Sequence, residues 1–350
     1  MLSQARERDY LFDNYKALLV FLVVVGHFIE PCYKNNEFLY FLKWLIVSFH
    51  MPAFIFISGY FSKKEIPISK MIQKLLVPYL VYEVIYYLLY VYIIEKPTGL
   101  YLLYPKFSLW YILALFFWRV ITPFVKKIPH HMILSIAGGL LVGCSGMSDN
   151  FLSIPRILVF YPFFLAGIHF ERKKLETYRA KKGRMIAVTG IVMFILYLTC
   201  DTGHTSYSPK IFYGRYNYEF LQQGMLEGIV VRLLCYAAGF GMTFALLLLI
   251  SEKRTKFSYI GSRTMAIYLF HGLTYSFIKG TSDVLASVNT VTETLLLLCT
   301  CFAVMMIFSK KEFTTFTNEI SSASWGNVHD TILELLGSCQ VTERDLVFGK

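Results

Sequence analysis

The sequence has little charge. Asp, Glu, Lys and Arg make up 16% of its 350 residues, where a soluble domain carries about 25%. It lacks a Cys-x-x-Cys pair and any Cys/His spacing suited to a metal, and its seven cysteines lie scattered, mostly inside apolar segments. Those absences exclude a disulfide framework and leave the cysteines, Cys299 and Cys301 included, as small core residues. No glycine-rich phosphate loop occurs, so an ATP-driven mechanism has no support. The N-terminal MLSQARERDYLFDNYK has no small-residue cleavage site after its first apolar run. That run is therefore expected to be a retained first span and not a signal peptide. Acidic residues are the scarcer sign: 23 Asp and Glu against 34 Lys and Arg give a net charge of +11.

What remains is apolar. Hydrophobic residues make up 56% of the chain and aromatic residues 17%, in stretches near 20 residues that recur along most of its length. This pattern predicts an all-α, polytopic membrane protein. The expected spans are roughly 11–31, 38–61, 75–94, 108–125, 132–148, 152–170, 185–201, 226–250, 264–281 and 291–309. Each is about long enough to cross ~30 Å of hydrocarbon at 1.5 Å per residue. Only the turn-like Ser148-Asp149-Asn150 separates the fifth from the sixth, which suits an antiparallel helical hairpin.

The positive charge sits in short loops between apolar segments, which fits membrane orientation and not a nucleic-acid partner. Roughly twenty bases, among them Lys63, Lys64, Lys126, Lys127, the ERKKLETYRAKKGR loop and the SEKRTKFSYIGSR loop, fall on one side; about five fall on the other. About ten spans with both termini cytoplasmic are expected. Residues 1–311 form the membrane domain, and 312–350 a polar cytoplasmic tail with one short amphipathic turn around Ile332 to Leu336.

Ionisable side chains inside apolar runs are expensive and mark function. The first two runs hold Lys16, His27 and His50. Lys16 and His27 are eleven residues apart, which at ~100° per residue returns to within about 20° of one helix face, some 16 Å along the axis. Asp13 and Glu30 continue that stripe at either end. Interfacial placement of Asp13 and snorkelling of Lys16 would also account for them. His27, in VVVGHF, is too deep for that, and Gly26 beside it admits a close neighbour.

His50 precedes Met51-Pro52, where proline frees carbonyls near residue 48 and bends the helix. Ser58 and Gly59 follow at the end of that span. Lys70 and Lys74, four apart on one face, suit the phosphates of a nucleotide-containing donor. IGSRTMAIYLFHGL places Arg263 at the start of the ninth span and His271 two turns inside it. The connection 202–225, rich in Tyr and Gly and carrying His204 and Arg215, suits either sugar stacking or an interfacial aromatic belt.

Taken in order, DNYKALLVFLVVVGHF, FHMPAFIFISGYF, KMIQKLLVPY, LWYILALF, YPFFLAGIHF and SRTMAIYLFHGL, over residues 9–309, resemble the acyltransferase-3 family of integral membrane proteins, in the branch similar to fucose 4-O-acetylase. The resemblance implies about ten transmembrane helices in a bacterial cytoplasmic membrane. It also implies transfer of an acyl group, usually acetyl from acetyl-CoA, to a hydroxyl of a cell-envelope or exopolysaccharide sugar, with no permanently bound cofactor and no metal. The family's Arg-x10-His motif maps onto Lys16 and His27, and its Arg-x3-Arg motif onto Lys70 and Lys74. Lysine replaces arginine in both, which keeps the cation and loses the planar fork.

On this reading acyl-CoA comes from the cytoplasm, its phosphates near Lys70, Lys74 and Arg263. His27 serves as general base or is itself acylated, and Asp13 or Glu30 orients the site. His50, Ser58, Trp110 of the LWYILALF segment and His271 complete the substrate-binding set. A transporter or flippase for a lipid-linked saccharide, using the buried His and Lys for proton coupling, is the alternative. It predicts inverted repeats, and none is legible between the halves.

Overall fold

In so apolar a chain the backbone polar groups have no better partners than one another, and helices satisfy them within a single segment. In the computed structural model, which describes residues 8–147, 151–201 and 207–322, every long element is accordingly a helix, with no strand among the described residues. α1 spans Tyr10–Phe28 and α2 Glu37–Phe61. α3 runs over Ile68–Ile93 through two π-helical turns, Ile72–Leu76 and Leu89–Ile93. Then come α4 (Trp110–Val125), α5 (His131–Leu141), α6 (Ile154–His169), α7 (Arg172–Tyr178) and α8 (Lys181–Asp201). α9 (Met225–Leu249), α10 (Thr264–Thr281), α11 (Val291–Phe308) and α12 (Lys311–Ser322) follow among the described residues.

The ends of these helices are written in the sequence. Asp9 accepts from Leu11 N at 3.1 Å to start α1, and Asn36 from Leu39 N at 2.8 Å to start α2. At α11, Thr290 and Glu293 cap one another. Each supplies a partner for a first-turn N–H that the helix itself leaves open.

All ten expected spans are helical, but they are not equally long. Among the described residues six helices are long and apolar enough to cross a membrane: α1, α2, α3, α8, α9 and α11. A seventh follows if α6 and α7, bent by 88° at their junction, count as one span. The chain is thus a multi-pass membrane protein. α4 and the stretch His131–Cys144 are shorter apolar helices. α10 reaches 18 residues but spends several on His271, Thr274, Ser276 and Lys279. The turn at 148–150, His204 and the stretch Ile332 to Leu336 lie outside the described residues. The beginning of the polar C-terminal segment packs on the bundle: Phe313 and Phe316 of α12 lie against Phe270, with ring centroids 4.9 and 5.9 Å apart, and Gln73 Nε2 donates to Ser322 O at 3.0 Å.

The connections gather at two ends. At the N-terminal end Asn14 donates to Ser251 O and Lys253 O (2.8 and 2.9 Å), and Arg172 joins Asp9 (3.4 Å) to Glu252 (2.5 Å). At the far end Asn35 donates to Ala286 O and Val288 O (2.8 Å each), and Leu152 N to Leu103 O at 2.7 Å.

α2 and α6 cross with their backbones touching. A Cβ built on Gly59 would strike the Phe164 carbonyl, and one on Gly167 the Phe56 carbonyl. Only glycine leaves room for such an approach. Gly59→Val is expected to destabilise the bundle by about 1–3 kcal/mol or more through forced separation of the helices. Thermal unfolding of the purified protein in detergent checks this, and an unchanged Tm would show that the crossing yields freely.

Candidate active site

The far end holds a cavity of about 570 Å³. α1 brings Val23, Gly26, His27 and Glu30 to its wall, and α2 brings Lys43, Val47, His50 and Met51. The second π-helical turn of α3 delivers Tyr90; such turns recur at functional sites. Phe107 and Trp110 enter from the start of α4, and Arg156 from α6. A connection nearly two hundred residues from α1 adds Phe212, Tyr213 and Arg215.

His27 stands in the last turn of α1 among aromatic rings. Its centroid lies 4.5 Å from Phe107, 5.4 Å from His271 and 6.1 Å from Tyr275. No described residue hydrogen-bonds to its ring, so the ring nitrogens are left for whatever enters the cavity. His50 and His271 are different. His50 Nδ1 meets Ile46 O at 2.7 Å and His271 Nδ1 meets Ile267 O at 2.9 Å. A carbonyl only accepts, so each Nδ1 carries the proton and each Nε2 keeps an acceptor lone pair. Pro52 lacks the N–H that would meet Ser48 O, yet His50 turns instead to Ile46 O, two carbonyls back. His271 Nε2 is buried with no partner among the described residues. The site thus holds three imidazoles, two of them with their tautomer set by a helix carbonyl.

Beside His27 lies a fixed polar knot. Lys43, only 3% exposed, forms an ion pair with Glu30 and donates to Gly26 O at 2.7 Å. Tyr213 donates to Glu30 Oε2 at 2.9 Å. Burial, and then the Glu30 carboxylate, hold the Tyr213 phenol above its ordinary value, so it remains a neutral donor. Because the Gly26 carbonyl belongs to the turn that carries His27, the Lys43 bond anchors the imidazole's own backbone. On the opposite wall Arg156 lies over the Trp110 ring, 4.9 Å from its centroid.

The structure brings together His27, Glu30, His50 and Trp110 at the cavity, with His271 packed against His27. Asp13 and Lys16 lie at the N-terminal end instead: Lys16 Nζ pairs with Asp13 Oδ1 at 3.0 Å, and Arg8 takes the other carboxylate oxygen. They share the stripe of His27 but stand ~16 Å away along α1. Ser58 donates to Phe54 O at 2.9 Å and meets the Tyr111 hydroxyl. Lys70 and Lys74 are exposed at the N-terminal end. Arg263 donates to Ser309 O at 2.6 Å, tying the start of α10 to the end of α11.

Sequence reasoning missed Lys43, Arg156 and Tyr213. Lys43 and Arg156 each interrupt an apolar run, the same signal that singled out Lys16. It also missed the buried Glu83, which accepts from Lys106 N at 2.7 Å and fixes the loop before α4. Among the described residues no group of three or more His, Cys, Asp or Glu gathers to hold a metal ion.

A family model described as an acyltransferase domain, of the acyltransferase 3 type, matches residues 9–310. Among curated proteins, the nodulation protein NolL of Sinorhizobium fredii is 38% identical over 65 residues, which is 18% of this chain and 18% of NolL's own length. No solved structure matches the chain.

Proposed function

This chain belongs to the acyltransferase family whose model spans residues 9–310, and on that premise we propose that it is a membrane O-acyltransferase with His27 at its reacting centre. It moves an acyl group, acetyl foremost, from cytoplasmic acyl-CoA to a hydroxyl of a cell-envelope or exopolysaccharide sugar. The observation that carries this reading is His27 itself: an imidazole with no hydrogen bond to any described residue, opening into a cavity lined by Trp110, Tyr213 and cations. Aromatic faces and polar side chains of that kind suit a carbohydrate.

Orientation follows the basic loops at the N-terminal end, which the positive-inside rule puts in the cytoplasm of a bacterial membrane. The donor's phosphates then lie near the exposed Lys70 and Lys74, and the cavity opens to the outer side. Neutral His27 takes the proton of the sugar hydroxyl as its oxygen attacks the thioester carbonyl. A carbon–oxygen bond forms, the carbon–sulfur bond breaks, and the proton passes from His27 to the departing CoA thiolate. His50 and His271, each with a fixed acceptor Nε2, orient the hydroxyl and the His27 ring. An acylated His27 as intermediate uses the same residue, and an acid quench that traps acyl-protein separates the two routes.

The test is the full chain in proteoliposomes with labelled acetyl-CoA inside and saccharide outside. Label appearing on saccharide, or slow hydrolysis of acetyl-CoA without acceptor, is expected. Saccharide movement with no acetyl-CoA consumed would overturn the proposal and favour a transporter. Mass spectrometry of surface glycans from cells with and without the gene identifies the acceptor.

A further inference from the structure

At the N-terminal end of the bundle a second pocket, of about 190 Å³, opens between the end of α2, the start of α3, α4 and α6. Its walls are mostly apolar, with Ile68, Met71, Phe124 and Ile168 among them, yet Arg119 stands in it. Arg119 lies inside α4, six residues before the helix ends, and is partly buried. Its Nε donates to Ser62 Oγ at 2.8 Å, and no described carboxylate pairs with it. The lining carboxylate is Glu65, which pairs with Lys126 at 3.6 Å. The exposed Lys64 at the rim adds a further cation. Orientation accounts for loop bases such as Lys64. It does not account for a guanidinium drawn in among four helices, where charge is costly unless something needs it.

Hydroxyls join this pocket to the His27 cavity. Ser62 Oγ donates to Ser58 O at 2.6 Å, and Ser58 Oγ meets the Tyr111 hydroxyl. Tyr111 lies edge-on to Trp110, with ring centroids 6.1 Å apart, and Trp110 lines the cavity. The line follows α2 from Ser62 toward His50, twelve residues or ~18 Å at 1.5 Å per residue. A ligand reaching from one pocket to the other thus has a charged anchor at one end, polar partners between, and an imidazole at the far end. Among dry walls a planar guanidinium suits phosphate oxygens, which it meets with paired N–H donors.

We infer that Arg119, with Lys64 at the rim, holds the diphosphate of the acyl-CoA donor in this pocket, and that the pantetheine arm follows the Ser58–Tyr111 line to bring the thioester to His27. The 3′-phosphate then falls toward Lys70, on the helix whose Ile68 and Met71 form one wall of the pocket. The inference rests on the acyltransferase reading for the donor's identity, but its test reads binding alone.

The full chain in phosphatidylcholine nanodiscs is titrated with labelled CoA and, separately, with labelled pantetheine, which carries no phosphate. R119Q is expected to raise the CoA concentration needed for half-saturation by about tenfold or more. R119K should raise it less, because it keeps the charge without the fork. Pantetheine binding should stay as in the wild type. K64Q, on the exposed rim, should weaken CoA binding by about two- to threefold and remove part of its salt dependence. Unchanged CoA affinity in R119Q would overturn the inference. So would equal loss of CoA and pantetheine, which would show Arg119 holding the bundle and not the ligand. Loss of co-purified phosphatidylglycerol from R119Q with CoA affinity intact would also overturn it, since the pocket would then hold a lipid. Should R119Q not fold, K64Q decides, and an unchanged CoA affinity there sinks the inference. The two readings fail separately. CoA bound through Arg119 while labelled acetyl-CoA stays unconsumed leaves the subsite standing and removes the acyltransferase; acetyl transfer with wild-type CoA affinity in R119Q does the reverse.

Discussion

His27→Ala is expected to lower acyl transfer by about 10²–10⁴-fold, the range attributable to a positioned general base, and to leave the amount of folded protein unchanged. The second half of that expectation is as specific as the first. Truncating a buried polar residue is destabilising when it strands a partner, and His27 has no hydrogen-bond partner among the described residues to strand. What it loses is ring contact with Phe107, His271 and Tyr275, next to a cavity already large enough to hold solvent. His271→Ala gives the contrast: its Nδ1 bond to Ile267 O disappears inside a fully buried site, so some stability goes along with activity. Initial rates with labelled acetyl-CoA, set beside Tm for both variants, decide the matter. Wild-type activity in His27→Ala removes the imidazole from the chemistry.

The difference between Lys16 and Lys43 marks what was legible in the sequence. Period and length placed the ten apolar helices but neither Arg172–Tyr178 nor Lys311–Ser322, and the depth of His27 in VVVGHF marked it before any geometry was known. The helical wheel also put Lys16 and His27 on one face of α1. A wheel gives azimuth, however, and says nothing about which residues of other helices stand opposite. Opposite Lys16 stands Asp13 of its own first turn, itself held by Arg8, so that end of the stripe closes on itself. Opposite His27 stand α10, the start of α4 and the 207–224 connection, none of them near it in sequence. Tyr213 reaches Glu30 across 183 positions, and no local pattern announces such a bond. Lys43 was legible in principle: six residues into α2, it looks like a side chain able to snorkel to the interface, but the bundle instead turns it inward onto Glu30. Helicity and crossing length are separate properties. α4 and α6 are helical but short of a full crossing, and α10 spends part of its length on polar side chains.

Lys43→Met tests whether that inward turn matters as the geometry says. The ammonium is nearly buried and meets both the Glu30 carboxylate and the Gly26 carbonyl. Removing one partner of a buried pair costs about 3–5 kcal/mol. Glu30 keeps about a third of its side chain exposed and retains Tyr213, so a loss below that range, about 2–3 kcal/mol, is expected once solvent relief is allowed for. The loss should fall in Tm and, more steeply, in acyl transfer, because the freed Gly26 carbonyl loosens the turn that holds His27. Lys43→Met/Glu30→Gln removes the stranded charge and should recover most of the stability. It should not recover activity, since Gly26 O still lacks its donor. Strict additivity of the two substitutions in Tm would mean the pair is not coupled. Full activity in the double variant would mean that the Lys43–Gly26 bond does not position His27, and the cavity's chemistry would then rest on the three imidazoles alone.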